Sequence, residues 1–164
     1  MEPFSRIVVP LDGSEVAERA LPVAAALSKT TGARIILVTV AVHDDHVSPA
    51  ERAVRRAADQ LDQPVDCEVL VGLPVAGTLL GYLHHARGVL VVMSTHARTA
   101  VGDLVLGSVA DELVRRSPVP IVLVGPHAVL PARGATYREL IACVDGRRSA
   151  RQHPTPDCPP AERA

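Results

Sequence analysis

Five short aliphatic runs alternate with stretches of helical periodicity through the first 126 residues, and this alternation restricts the chain more than anything else in it. The runs are RIVVP from Arg6, ARIILVTVAV from Ala33, VDCEVLV from Val65, GVLVVM from Gly88 and VPIVLV from Val119. Most are apolar without the polar alternation that a water-facing sheet imposes, so they read as strands covered on both faces. The third alternates up to Gly72 and reads as a half-buried edge strand. Strand, helix, strand, repeated, implies parallel strands joined by right-handed crossovers. Hydrophobic residues make up 48% of the chain, yet its only aromatics are Phe4, Tyr82 and Tyr137. The core must therefore be Val, Leu, Ile and Ala, which suits β-branched strands beneath Ala-rich helices. The expected fold class is α/β, a doubly wound five-stranded parallel sheet with helices on both faces.

The helix boundaries follow from capping chemistry. Asp12 and Glu15 have capping-box spacing and open a helix that runs to a Gly32 stop, with Pro22 marking its irregular point. SPAE at Ser48–Glu51 combines an N-cap, a proline at the first helical position and a glutamate three residues on, predicting a helix to about Leu61. Further helices are expected over 74–87 and 108–116, the former weakened by Gly77 and Gly81. Residues 1–126 then form one domain and 127–136 a linker. YRELIACVDGRRSA from Tyr137 repeats the pattern of FSRIVVPLDGSEVA from Phe4, so 137–150 read as the first strand of a second copy. The Pro-rich, polar residues 151–164 lack the apolar surface to order themselves.

A formal net charge of −1 provides no basic face for nucleic acid or anionic membrane, and no stretch approaches the roughly 18–20 apolar residues of a membrane span. Cys67, Cys143 and Cys158 have no spacing suited to zinc or paired disulfides. Glu2 and Arg6 do not suit a secretory leader, and the expected location is cytoplasmic. His43, Asp44, Asp45 and His46 have the residue types of a metal site without a supporting spacing, and read as a solvated loop.

In a doubly wound sheet, ligands bind beyond the carboxyl ends of the strands where the strand order reverses. Two strand ends carry unusual chemistry: the first, with Pro10, Leu11 and Asp12, and the fourth, with Met93 and Ser94. From Ser94 the chain runs STHARTAVGDLVLGSVADEL, and Ser108 and Asp111 have N-cap box spacing. Backbone N–H groups of Gly107, Ser108 and Val109 are then available to an anion, and His96 and Arg98 supply further donors. Each residue also has a plainer reading: Asp12 and Ser108 as caps, His96 as a solvated loop residue. No nucleophile, base and orienting residue can be assembled, so an efficient enzyme is not indicated and any turnover is expected to be slow.

The segments VPLDGSEVAERAL, VGLP and MSTHARTAVGDLVLGSVADELVRRSPVPIVLV resemble the universal stress protein family, over essentially all of residues 1–125. The resemblance implies a Rossmann-like sheet of strand order 3-2-1-4-5 and a homodimer made through the fifth strand, Val119–Val124. It also implies ATP, held with Mg²⁺ between the ends of strands one and four. Asp12 would contact the adenosine end, Val40 the adenine through its backbone, and Gly72 the ribose side. Gly107 and Ser108 would hold the β and γ phosphates, with Ser108 toward the divalent ion. The family's phosphate motif has glycine where this chain has Ser94 and Ala97. An alanine forced into a left-handed conformation costs about 1–2 kcal/mol. Two functions follow: an ATP-binding stress-response regulator or sensor, or a dimeric interaction module that binds no nucleotide.

Overall fold

The computed structural model describes residues 4–95 and 107–137. Its elements are β1 (Arg6–Pro10), α1 (Glu15–Glu18), α2 (Ala20–Thr31), β2 (Arg34–Ala41), α3 (Val47–Ala58), β3 (Val65–Val71), α4 (Val75–His84), β4 (Val89–Ser94), α5 (Ser108–Arg116) and β5 (Ile121–Val124). The strands form one parallel sheet of order β3-β2-β1-β4-β5. The expected α/β doubly wound architecture and its strand order are therefore observed. Arg6 is level with Arg34 of β2 on one side and Val89 of β4 on the other, so β1 and β4 flank the point where the strand order reverses.

Alternate residues of each central strand feed two separate aliphatic layers, as a two-residue period requires. Ile7, Val9, Ile35, Leu37, Leu90 and Val92 meet α1, α2 and α3 on one face. Val8, Ile36, Val38, Val89, Val91 and Met93 meet α4 and α5 on the other. β4 is buried throughout its length.

Several boundaries differ from those the capping patterns suggest. The first helix is broken at Arg19, three residues before Pro22. Pro22 has no N–H to offer the Glu18 carbonyl, and its ring crowds that group, so the ladder fails one turn upstream of the proline itself. The cap of α1 is Ser14, whose Oγ accepts from Ala17 N at 3.1 Å; Asp12 instead accepts from Ser14 N at 2.9 Å. α3 begins at Val47 after a 3-10 turn over Asp44–His46, which places Ser48 inside the helix rather than at its cap. Gly107, not Ser108, occupies the cap position of α5. Arg115 Nε donates to both carboxylate oxygens of Asp111 at 3.0 Å, in place of a capping box.

The segment after β5, read from sequence as a linker, lies along the α1/α2 face. Ala128, Leu130 and Tyr137 pack against the same layer as Phe4, and Arg133 Nε pairs with Asp62 Oδ2 at 3.0 Å. Of the partial second repeat only Tyr137 lies within the described residues.

Candidate functional site

A cleft of about 540 Å³ opens beyond the carboxyl ends of β1, β2 and β4. Its position follows from the chain's local chemistry. β1 ends at Pro10; Leu11 N still donates to the Val38 carbonyl at 2.8 Å, and then Gly13, at φ +81°, turns the chain toward α1. That left-handed conformation carries no penalty for glycine. β4 ends at Ser94, and the chain returns at Gly107 to begin α5.

Nine of the residues singled out in the sequence line this cleft. Pro10, Leu11 and Asp12 form one rim, Val40 and Met93 contribute apolar wall, and Ser94, Gly107, Ser108 and Val109 close the far side. Gly72 is not among the lining residues. A Cβ placed there would stand 2.6 Å from Thr78 Oγ1, so this glycine is needed for the approach of β3's end to α4. His96, Ala97 and Arg98 lie outside the described residues. Sequence reasoning missed Thr39, Val38, Val75, Leu79, Ala17 and Ala110, which complete the lining. The alternation of β2, with Val38 and Val40 on one face, was the available signal for part of that set; the reach of α4 into the cleft had none.

The lining divides into two chemistries. Val38, Val40, Val75, Leu79 and Met93 form an apolar wall suited to a flat ring, whereas Asp12, Thr39 and Ser108 bring oxygen atoms. Asp12 is the only formally charged residue in the described lining. Among the described residues no side chain caps the first turn of α5, and its N–H groups and the positive end of the helix dipole are directed at the cleft. Ser94 is buried, and its hydroxyl donates to the Ala17 carbonyl at 3.4 Å, tying the end of β4 to α1. Thr95, also buried, donates from its backbone N to Val124 O at 2.9 Å. The chain is thereby fixed on both sides of the point where it leaves β4.

Among the described residues no group of three or more His, Cys, Asp or Glu side chains is placed to hold a metal ion. His43 and His46 lie with ring centroids 5.9 Å apart. Cys67 sits on the edge strand β3, where burial of the thiol, only partly offset by the charge of Arg55, pushes its pKa up. No helix among the described residues is long and apolar enough to cross a membrane.

The family model described as "Universal stress protein family" matches residues 3–51 and 50–125. A universal stress protein from Thermus aquaticus, encoded in the QAH/OAS sulfhydrylase 3′ region, is 32% identical over 135 residues, covering 74% of this chain and 98% of its own. Universal stress protein MJ0531 of Methanocaldococcus jannaschii is 25% identical over 140 residues, covering 74% of this chain and 82% of its own. Among solved structures, a universal stress protein in complex with cAMP superposes with a TM-score of 0.59 at 22% identity, covering 75% of this chain and 98% of its own. The parallel sheet with its β1/β4 switch point, the cleft above it and these matches agree: the chain belongs to the universal stress protein family.

Proposed function

We propose that this protein binds an adenine nucleotide, ATP with Mg²⁺, in the cleft above β1 and β4, and works as a cytoplasmic stress-response regulator or sensor rather than as an efficient enzyme. One observation carries the reading. A cleft of about 540 Å³, within the range of small-ligand sites, joins an apolar wall to the N-terminal turn of α5 at the switch point. In this reading Val38, Val40 and Met93 receive the adenine, with Val40 bonding it through the backbone, and Asp12 faces the ribose. Gly107, Ser108 and Val109 offer N–H groups to the phosphates, and the Ser108 hydroxyl faces the Mg²⁺. His96 and Arg98 add donors from the loop after β4. The solved relative in complex with cAMP supports an adenine nucleotide as the ligand class. A homodimer through β5 fits the same picture, since β5 is an edge strand and its Leu123 is 37% exposed.

The rival function, a dimeric interaction module without nucleotide, draws on a specific contact. The Ser94 hydroxyl, at a position where glycine is usual in the motif, is engaged with the Ala17 carbonyl rather than with the cleft. Thermal unfolding of nucleotide-stripped protein separates the two. At 100 times its dissociation constant a ligand adds about 2.7 kcal/mol, which for a chain of this size raises the melting temperature by roughly 5–10 °C. A rise with Mg-ATP and none with Mg-GTP is expected. The absence of a rise with either, in a sample that melts cooperatively, favours the interaction module.

A further inference from the structure

Residues 126–137 are held along their length. Arg19 Nη2 donates to the Pro126 carbonyl at 2.9 Å. Arg133 Nη2 donates to the Gln60 carbonyl at 3.0 Å while its Nε pairs with Asp62. Tyr137 N donates to Thr30 Oγ1 at 2.8 Å. The segment is a strap over the face formed by α1, α2 and α3, and its first point of attachment is the joint between α1 and α2.

That joint matters because α1 cannot hold itself. It has four residues, well short of the length at which a helix is stable alone. Its position therefore depends on its join to α2 through Arg19, on Ala17 packed in the core, and on four side-chain contacts: the Ser14 cap, the Ser94 hydroxyl on the Ala17 carbonyl, Gln60 Nε2 donating to Glu18 Oε2 at 2.8 Å, and the Arg19 guanidinium on the strap. Arg19 Nε is buried and has no hydrogen-bond partner. Burying it carries a desolvation cost, which is tolerated because the same guanidinium grips the strap. Ala17, within α1, lines the cleft.

We infer that the strap orders α1, and through it one wall of the cleft, with Arg19 as the positioning residue that couples them. Docking of residues 126–137 and occupancy of the cleft are then linked, and the linkage is reciprocal: a ligand that needs an ordered α1 tightens the strap by the factor by which the strap tightens the ligand. The ligand half of this statement rests on the nucleotide reading above; the α1 half does not.

The test uses the full-length chain and amide exchange followed by mass spectrometry, first without nucleotide. Arg133→Ala combined with Thr30→Val releases the strap at exposed positions away from the cleft, and Arg19→Met breaks the coupling itself. Release of the strap is expected to speed exchange at Ala17, Glu18 and Arg19 about tenfold while β1 and β4 keep their protection. In a background of Arg19→Met with Gln60→Ala, which also removes the Gln60 contact to Glu18, the same pair of changes adds nothing further. If the double variant does not fold, Thr30→Val alone provides the comparison. Freed strap amides with unchanged exchange in α1 would overturn the inference. A parallel Mg-ATP titration should show affinity weakened severalfold in the strap variant. If the wild-type chain binds no ATP, the nucleotide reading fails, and the α1 exchange still decides whether strap and cleft wall are coupled.

Discussion

Gly72→Ala tests whether this glycine is required by packing or by a ligand. Its backbone is not in the left-handed region, so space alone decides the outcome. An added Cβ would meet Thr78 Oγ1 at 2.6 Å and Cγ2 at 3.3 Å, both atoms of a short branched side chain on α4. Thr78 is further held by its backbone N and its Oγ1, at 3.0 and 3.2 Å from the Pro74 carbonyl. Such overpacking costs about 1–3 kcal/mol. At about 2–4 °C per kcal/mol for a chain of this size, the melting temperature should fall by roughly 2–12 °C. Thr78→Ala removes both offending atoms and leaves its own Cβ at 3.6 Å, an ordinary contact. Alone it should be nearly neutral, the lost hydroxyl bond being offset by alanine's better helix propensity. The double variant should recover most of the loss, a coupling of about 1–2 kcal/mol. Thermal or urea unfolding of the four proteins measures this, and a Gly72→Ala variant that melts like wild type, or one that Thr78→Ala fails to rescue, would refute the reasoning. An ATP titration in the Thr78→Ala background adds a second result: unchanged affinity on adding Gly72→Ala assigns the glycine to packing, whereas a loss returns it to the ribose side.

Ser14→Ala removes the cap of α1 and should cost about 1 kcal/mol in urea unfolding. Leu113, fully buried between α5 and the sheet, should cost about 2–5 kcal/mol when cut to alanine, while Val129→Ala, at a residue 98% exposed, should stay within about 0.5 kcal/mol. Burial, reinforced by a hydrogen bond to Glu68, pushes the Tyr82 phenol up to about 12. Because this value lies above the unfolded one, Tyr82 stabilises the fold fully below about pH 10 and the contribution is lost as pH rises through about 12. Phenolate titration in a Tyr137→Phe background should show that late step, and Tyr82→Phe should remove this part of the alkaline loss of stability.

The strands were legible because each is a dense aliphatic run bounded by Gly, Pro or Asp, and a buried parallel strand must look like that. The ends of the helices were less so. Ser14, Asp12 and Glu15 all compete for one cap, and only the path of the chain through Gly13 selects Ser14. Pro22 announces a break, but the break falls at Arg19 because proline acts on the carbonyl four residues behind it. In the cleft, Asp12, Met93 and Ser108 were readable because motifs at strand ends lead there. Val75 and Leu79 were not, since their place in the lining depends on how far α4 extends over β2. The contacts of the strap were hidden for a related reason: Pro131, Ala132 and Gly134 read locally as linker, and nothing local tells that Arg133 will find Asp62 or that Tyr137 will find Thr30.

The pairing of β1 with β4 has a consequence for biosynthesis. Arg6 is level with Val89, a separation of 83 residues (89 − 6). At about 5–20 residues per second, the ribosome needs on the order of 4–17 s after making β1 before its second neighbour exists. Throughout that interval the nascent chain can form only the β1, β2 and β3 side of the sheet. One edge of β1, flanked by the aliphatic side chains of Ile7, Val8 and Val9, stays open to other chains. The folded protein hides this strand at the middle of its sheet, so the native state offers no such edge, and synthesis of the stretch from β1 to β4 is an interval in which it is open to misassociation.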